Sequence, residues 1–251
     1  MKNPISIIYH IIMFLLFTII GIAQSEYDPQ NIIDKTIEKY GGTAYKNALI
    51  EFDFRDRHYK VFRKNGNFLY ERFYSDSSGN IHEGFDNKSV FKKINTQTID
   101  LTTTKSNSIK ESINSVIYFF TLPYSLNDKA VIKKYLGISN INNNPYYLIE
   151  VTFKQESGGS DFEDSYVYWI NKDDYSMDFF AYYFHVNGGG SRFRRVHNVR
   201  WIEGIVFGDQ ENFTSDEIIK NIEDYKQLFE NGDLKKLSDI NIENVKVNIL
   251  K

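Results

Sequence analysis

Apolar and polar residues recur along the chain with two different periods, and each change of period marks a new element. Ile32, Ile33 and Ile37 fall at helical spacing between Asp28 and Tyr40, and Gly41-Gly42 supplies the stop. Ile50, Phe52 and Phe54 then alternate with Glu51, Asp53 and Arg55 before the apolar phase moves to Tyr59 and Val61. Such a shift predicts a bulge in one long strand, because one extra residue turns every later side chain to the other face. Asn65-Gly66 predicts a two-residue hairpin with Phe68 to Tyr74 returning, and Ser78-Gly79, Asn87-Lys88 and Asn95-Thr96 punctuate the shorter strands that follow. The helical period resumes after Ser108-Ile109-Lys110-Glu111, which has the form of a capping box. Ile109, Ile113, Val116, Ile117 and Phe120 form one stripe and Pro123 ends it. The stripe predicts a helix packed on a sheet or covering a cavity.

A second run of strands begins at Val131 and extends to Ile141, where Asn142-Asn143-Asn144-Pro145 turns the chain. Tyr147, Ile149, Val151 and Phe153 alternate on one face, and turns follow at Gly158-Gly159, Asp173-Asp174, Gly188-Gly189-Gly190 and Glu203-Gly204. A second capping-box pattern, Thr214 to Glu217, predicts a helix through Ile218, Ile222, Tyr225 and Phe229 that Gly232 closes. Ile240, Ile242, Val245, Val247 and Ile249 predict one last strand. The sum is an α+β fold, mostly antiparallel β: a curved sheet or incomplete β-barrel of about 10–11 strands with three helices. No repeat, low-complexity tract or linker divides the chain, so residues 24–251 read as a single β-rich domain.

The first residues form an address. Lys2 precedes an apolar run from Ile5 to Ile22, and Gly21-Ile22-Ala23 has the small-x-small form of a cleavage site. Residues 1–23 therefore read as a signal peptide cleaved near Ala23, the rival being a retained anchor, since the run approaches the ~20 residues needed to span a bilayer. The expected product is exported, periplasmic or otherwise outside the cytoplasm, soluble and without a transmembrane segment.

Composition narrows the chemistry. No cysteine is present, which removes disulfides, thiolate metal sites and thioether anchors and leaves the fold to core burial alone. A net charge of −3 lacks the basic excess of nucleic-acid binders. Aromatic residues reach 16%, which agrees with a β-rich fold. His10, His58, His82, His185 and His197 lie too far apart for zinc pairing. Glu156, Asp161, Glu163 and Asp164 offer oxygen ligands for calcium, although acidic loops are usually only solvated. No G-x-S-x-G elbow occurs, and no helix follows the Gly188 turn to complete a nucleotide-binding loop. No residue is assigned as catalytic, no metal site is assigned and no cofactor is expected.

Turn arithmetic gives a polar constellation. A turn at Asp173-Asp174 makes partner numbers sum to about 347 and sets Asp164 beside Tyr183; a turn at Gly188-Gly189 makes them sum to about 377 and pairs His185 with Arg192 and Tyr183 with Arg194. Asp164, Tyr183, His185, Arg192 and Arg194 would then share one face, as a rim suited to an anion, to acid–base work or simply to solvent. Val167, Trp169, Phe180, Tyr182, Phe184 and Phe193 would share the other. Phe52, Phe54, Ile117, Phe120, Phe153, Trp169, Phe180, Tyr182 and Phe184 are the candidates for an apolar ligand face, with a filled aromatic core as the alternative.

The order helix, meander, helix, meander resembles the LolA/LolB-like exported lipoprotein carriers. The segments Ile113-Asn114-Ser115-Val116-Ile117-Tyr118-Phe119, Leu122-Pro123-Tyr124, Val167-Tyr168-Trp169-Ile170 and His185 to Arg194 resemble an uncharacterised family of exported bacterial proteins. Members of that family with a lipobox cysteine would be membrane-anchored, and this chain has none. The first resemblance implies an incomplete barrel around an acyl-binding cavity, and hence a non-enzymatic carrier with a lipid or acyl-chain ligand and an envelope protein as partners. The alternatives are an exported enzyme or anion-binding protein using the polar rim, and a structural envelope protein.

Overall fold

The period-two pattern is realised as two antiparallel sheets of seven strands each, in a computed structural model that describes residues 27–155, 163–185 and 188–251. The signal segment lies outside the described residues. Helix α1 (Pro29–Lys39) starts where Asp28 accepts a hydrogen bond from the Gln30 amide and Pro29 occupies the first turn. Gly41, at φ 123°, then brings the chain against the backbone of Gly204, where a Cβ would sit 2.7 Å from the carbonyl oxygen.

Sheet 1 contains β1 (Ala48–Phe54), β2 (Arg57–Lys64), β3 (Asn67–Asp76), β4 (Gly79–Asp86), β5 (Val90–Ile94), β6 (Gln97–Thr98) and the last strand, β14 (Glu243–Ile249), which pairs with β1. Sheet 2 runs in order from β7 (Val131–Ile141) through β8 (Asn144–Phe153), β9 (Ser165–Asn171), β10 (Met177–Phe184), β11 (Gly190–Ile202) and β12 (Ile205–Thr214) to β13 (Lys235–Ile240). Asn241 and Ile242 carry the chain from the edge of sheet 2 to the edge of sheet 1. Helix α2 (Thr103–Phe120) lies between the two meanders in sequence, and α3 (Tyr225–Asn231) precedes β13.

The mostly antiparallel α+β class and the three helices are as expected among the described residues, but fourteen strands replace ten or eleven. The apparent bulge after Phe54 is a hairpin: Phe54 pairs with Arg57, and Arg55 takes φ 57° to make the turn without glycine. The expected final strand is two strands in different sheets. The Ser108 capping box lies inside α2, where its amides already have helical partners; Thr102 caps instead, accepting from the Lys105 amide at 3.3 Å. The helix expected from Thr214 begins only at Tyr225, because Thr214 still belongs to β12 and pairs with Lys235.

Three apolar clusters follow from these layers. The α2 stripe, Ile109, Ile113, Ile117 and Phe120, is buried with Ile50, Phe52, Tyr59 and Val61 of sheet 1, and Ile205, Phe207, Ile240 and Ile242 join them at the corner between the sheets. Ile32 and Ile33 of α1 pack with Tyr147, Ile149, Tyr168 and Phe180 on the inner face of sheet 2. The outer face of sheet 2 carries Val167, Trp169, Phe179 and Phe193 under Tyr225 and Phe229.

Candidate functional site

A cavity of about 980 Å³ opens where α2, sheet 1 and sheet 2 meet. Helix α2 contributes Asn107, Lys110, Glu111, Asn114, Ser115, Tyr118 and Phe119; sheet 1 contributes Arg63, Phe68, Tyr70 and Phe85; sheet 2 contributes Phe153 and Tyr166. Tyr124 and Asp128, from the segment after α2, complete the lining with Lys46 and the polar hairpin residues Asn65 to Asn67. The polar residues of α2 come from its earlier turns and the aromatic ones from its last turn. The wall therefore grades from hydrated to apolar along one helix.

Among the expected apolar ligand residues, Phe153 borders this space. Phe52, Ile117 and Phe120 are in the filled cluster between α2 and sheet 1, with Phe52 stacked on Tyr59 at 5.3 Å and edge-on to Phe120 at 5.5 Å. Phe54 packs on Phe120 at 5.1 Å. Phe180 and Tyr182 sit one layer behind the cavity, touching Phe119 at 6.0 and 5.5 Å, and Phe184 continues that row from Tyr182. Trp169 faces the other way, fully buried against Phe193. Tyr118, Phe119, Tyr166, Phe68, Tyr70 and Phe85 line the cavity although the alternation did not single them out. Their one sequence signal was the Tyr118-Phe119 doublet, which flanks the α2 stripe instead of extending it.

The polar rim divides. His185 donates its backbone N–H to Asp164 Oδ1 at 3.2 Å, and its ring meets Tyr183 edge-on at 4.7 Å. Arg192 and Arg194 project from the opposite face, because Tyr182 pairs with Arg192 and Phe180 with Arg194. The ladder closes on Phe184 and Gly190, whose lack of a side chain admits the Phe184 ring; a Cβ there would lie 2.6 Å from it. That register differs from the expected one by three residues, an odd number, which exchanges the two faces. Tyr183 likewise pairs with Ser165 and not with Asp164, after an irregularity between Met177 and Phe179.

Arg194 instead braces α2. It donates to Gln210 Oε1 and Tyr182 Oη, each at 2.8 Å, and lies over the Phe119 ring at 5.0 Å. Gln210 Nε2 in turn donates to the Phe119 carbonyl at 3.2 Å, which places the buried guanidinium near the negative end of the helix dipole.

At the cavity, Arg63 donates from Nε to Tyr70 Oη at 2.8 Å and from Nη2 to the same oxygen, with its guanidinium over the Tyr124 ring at 4.5 Å. Its Nη1 is buried and has no hydrogen-bond acceptor. Burial raises the Tyr70 phenol pKa against the pull of Arg63, and burial also raises Asp128 although Arg63 and Lys133 oppose it. The Tyr118 phenol is pushed up to about 12 by burial.

Among the described residues no group of three His, Asp or Glu side chains is placed to hold a metal ion. Glu156 and Asp161 of the calcium candidate lie outside those residues. No described helix is long and apolar enough to cross a membrane.

A family model of unknown function matches residues 9–244. The chain belongs to the DUF6503 family. No curated protein matches it. Among solved structures, this DUF6503 chain is similar to a LolA superfamily protein from Nitrosomonas europaea, at 15% identity over 89% of this chain and 94% of that one, with a TM-score of 0.49. A DUF1329 family protein from Desulfovibrio piger is similar at 13% identity over 87% and 93% of the two chains, with a TM-score of 0.42. The lipoprotein LppX from Mycobacterium tuberculosis is similar at 9% identity over 64% and 91%, with a TM-score of 0.29.

Proposed function

We propose that this protein is an exported, non-enzymatic carrier or binding protein for a lipid, lipoprotein or other apolar ligand of the cell envelope, formed by residues 24–251 after removal of residues 1–23. The observation that carries this reading is the cavity of about 980 Å³ with an aromatic floor and a polar mouth. That volume lies at the upper end of the roughly 300–1,000 Å³ usual for ligand sites. Each buried methylene contributes about 0.8 kcal/mol. A chain with about ten methylenes inside therefore offsets much of the roughly 4–15 kcal/mol cost of association.

Native mass spectrometry of the protein purified from its own periplasm tests the reading. The expected spectrum carries adducts in the acyl-lipid mass range that disappear on organic extraction. A single ligand-free mass, together with no binding of an added acyl probe, overturns it. Arg192 and Arg194 lie on the opposite face of sheet 2 from Tyr183, which favours the cavity over the His–Arg rim as the site.

A further inference from the structure

The cavity's polar lining has an asymmetry that a purely apolar ligand would leave unused. Arg63 is its most deeply set cation, and two of its three guanidinium nitrogens share one phenol oxygen, that of Tyr70. The third is buried without an acceptor, and among the described residues no carboxylate lies within ion-pair distance of the side chain. A buried guanidinium N–H without an acceptor is costly, whereas the planar fork of arginine matches carboxylate or phosphate oxygens two at a time. Lys46 and Lys110 border the same space, also without a carboxylate partner among the described residues. The acidic groups on the lining are Glu111 and Asp128.

Taking the cavity as the ligand site, we infer that it selects amphiphiles bearing a single anionic headgroup, carboxylate or phosphate, which sits on Arg63 between Tyr70 and Tyr124 while the chain runs along Phe119, Phe153 and Tyr166. The headgroup supplies the acceptor that Nη1 lacks. Lys46 and Lys110 add attraction from the mouth, and the aromatic floor takes the chain whatever its saturation. Asp128 lies outside ion-pair distance of Arg63 but feels its charge, so the headgroup adds a direct contact to a longer-range attraction.

Calorimetry with four ligands of equal chain length on the intact mature protein tests this: dodecanoic acid, dodecyl phosphate, dodecanol and dodecyltrimethylammonium. The acid or the phosphate should bind at least about tenfold tighter than the alcohol, the effect of one charge-assisted hydrogen bond or more, and the ammonium weakest of all. Whichever anion binds tighter identifies the source as a fatty acid or a phosphate-headed lipid. Arg63→Met should abolish the preference for the anions over the alcohol, and Arg63→Lys should keep part of it. Equal binding of acid, phosphate and alcohol by the unsubstituted protein, or tightest binding of the ammonium, overturns the headgroup assignment while leaving the carrier reading standing. Binding of none of the four overturns both. The unsubstituted protein decides the matter even if the Arg63 variants do not fold.

Discussion

The two flanks of α2 are built from the same eighteen residues and do opposite things. One flank, Ile109, Ile113, Ile117 and Phe120, interlocks with sheet 1 and leaves no room. The other, Lys110, Asn114 and Tyr118 beside Glu111, Ser115 and Phe119, faces a space of about 980 Å³. Both are rows of residues three or four apart, so each runs along the helix as a stripe. The filled flank is apolar throughout, and dispersion and burial draw it onto the sheet. The open flank is apolar only in its last turn, so nothing pulls its polar turns onto the opposing wall. The aromatic turn is held in place from behind, by Arg194 and Gln210.

The comparison is most severely tested on the filled side. Glu83 there accepts from Arg72 and Lys92 at 2.6 and 2.8 Å, and Arg72 also donates to Ser112 of α2 at 2.6 Å. Glu83→Gln should cost about 3–5 kcal/mol in urea unfolding, because it leaves the Arg72 guanidinium buried and uncompensated. Burial raises the Glu83 pKa, but hydrogen bonds and charge from Arg72 and Lys92 outweigh it, and the net shift is downward. Its contribution to stability is thus complete above the ordinary glutamate value of about 4.3 and is lost as pH falls below it toward the lowered folded value. Denaturant titrations across that window should show a steeper loss for the unsubstituted protein than for Glu83→Gln.

Ile113→Ala removes the centre of the filled stripe and should cost about 2–5 kcal/mol, read as a lower urea midpoint at unchanged slope. A cost under about 1 kcal/mol would show that this flank collapses easily and is not close-packed. The smallest stability change sharpens the contrast most. Ser115→Trp, on the open flank, should alter stability by no more than about 0.5 kcal/mol while reducing acyl-probe binding severalfold. A stability loss matching that of Ile113→Ala would mean the two flanks are equally packed.

Legibility from sequence followed locality. Asn65-Gly66 forms the expected hairpin because both residues accept positive φ, and Val131–Ile141 is the expected strand because its neighbours are turn residues on both sides. Arg55-Asp56 also makes a two-residue hairpin, with neither glycine nor asparagine and positive φ at Arg55 alone, so its phase change was open to the bulge reading. Of the site, Phe153 was visible through its alternation with Tyr147, Ile149 and Val151. Arg63 was not, since an arginine in a polar-flanked strand looks like any solvated side chain until Tyr70 and Tyr124 enclose it.

The amino-acid sequence by itself determined the antiparallel β-rich class, the apolar stripes of α1 and α2, and the absence of thiol chemistry. Each of these depends on residue type and short-range period. Tertiary structure alone decided which face Arg192 and Arg194 occupy and where the aromatic residues enclose space instead of filling it. The physical reason is the same in both cases. A strand's period assigns its side chains to two faces, but which residues of β11 pair with which of β10 is fixed only when the two strands meet. A cavity, in turn, exists only where one flank of α2 and two sheets distant in sequence leave space between them.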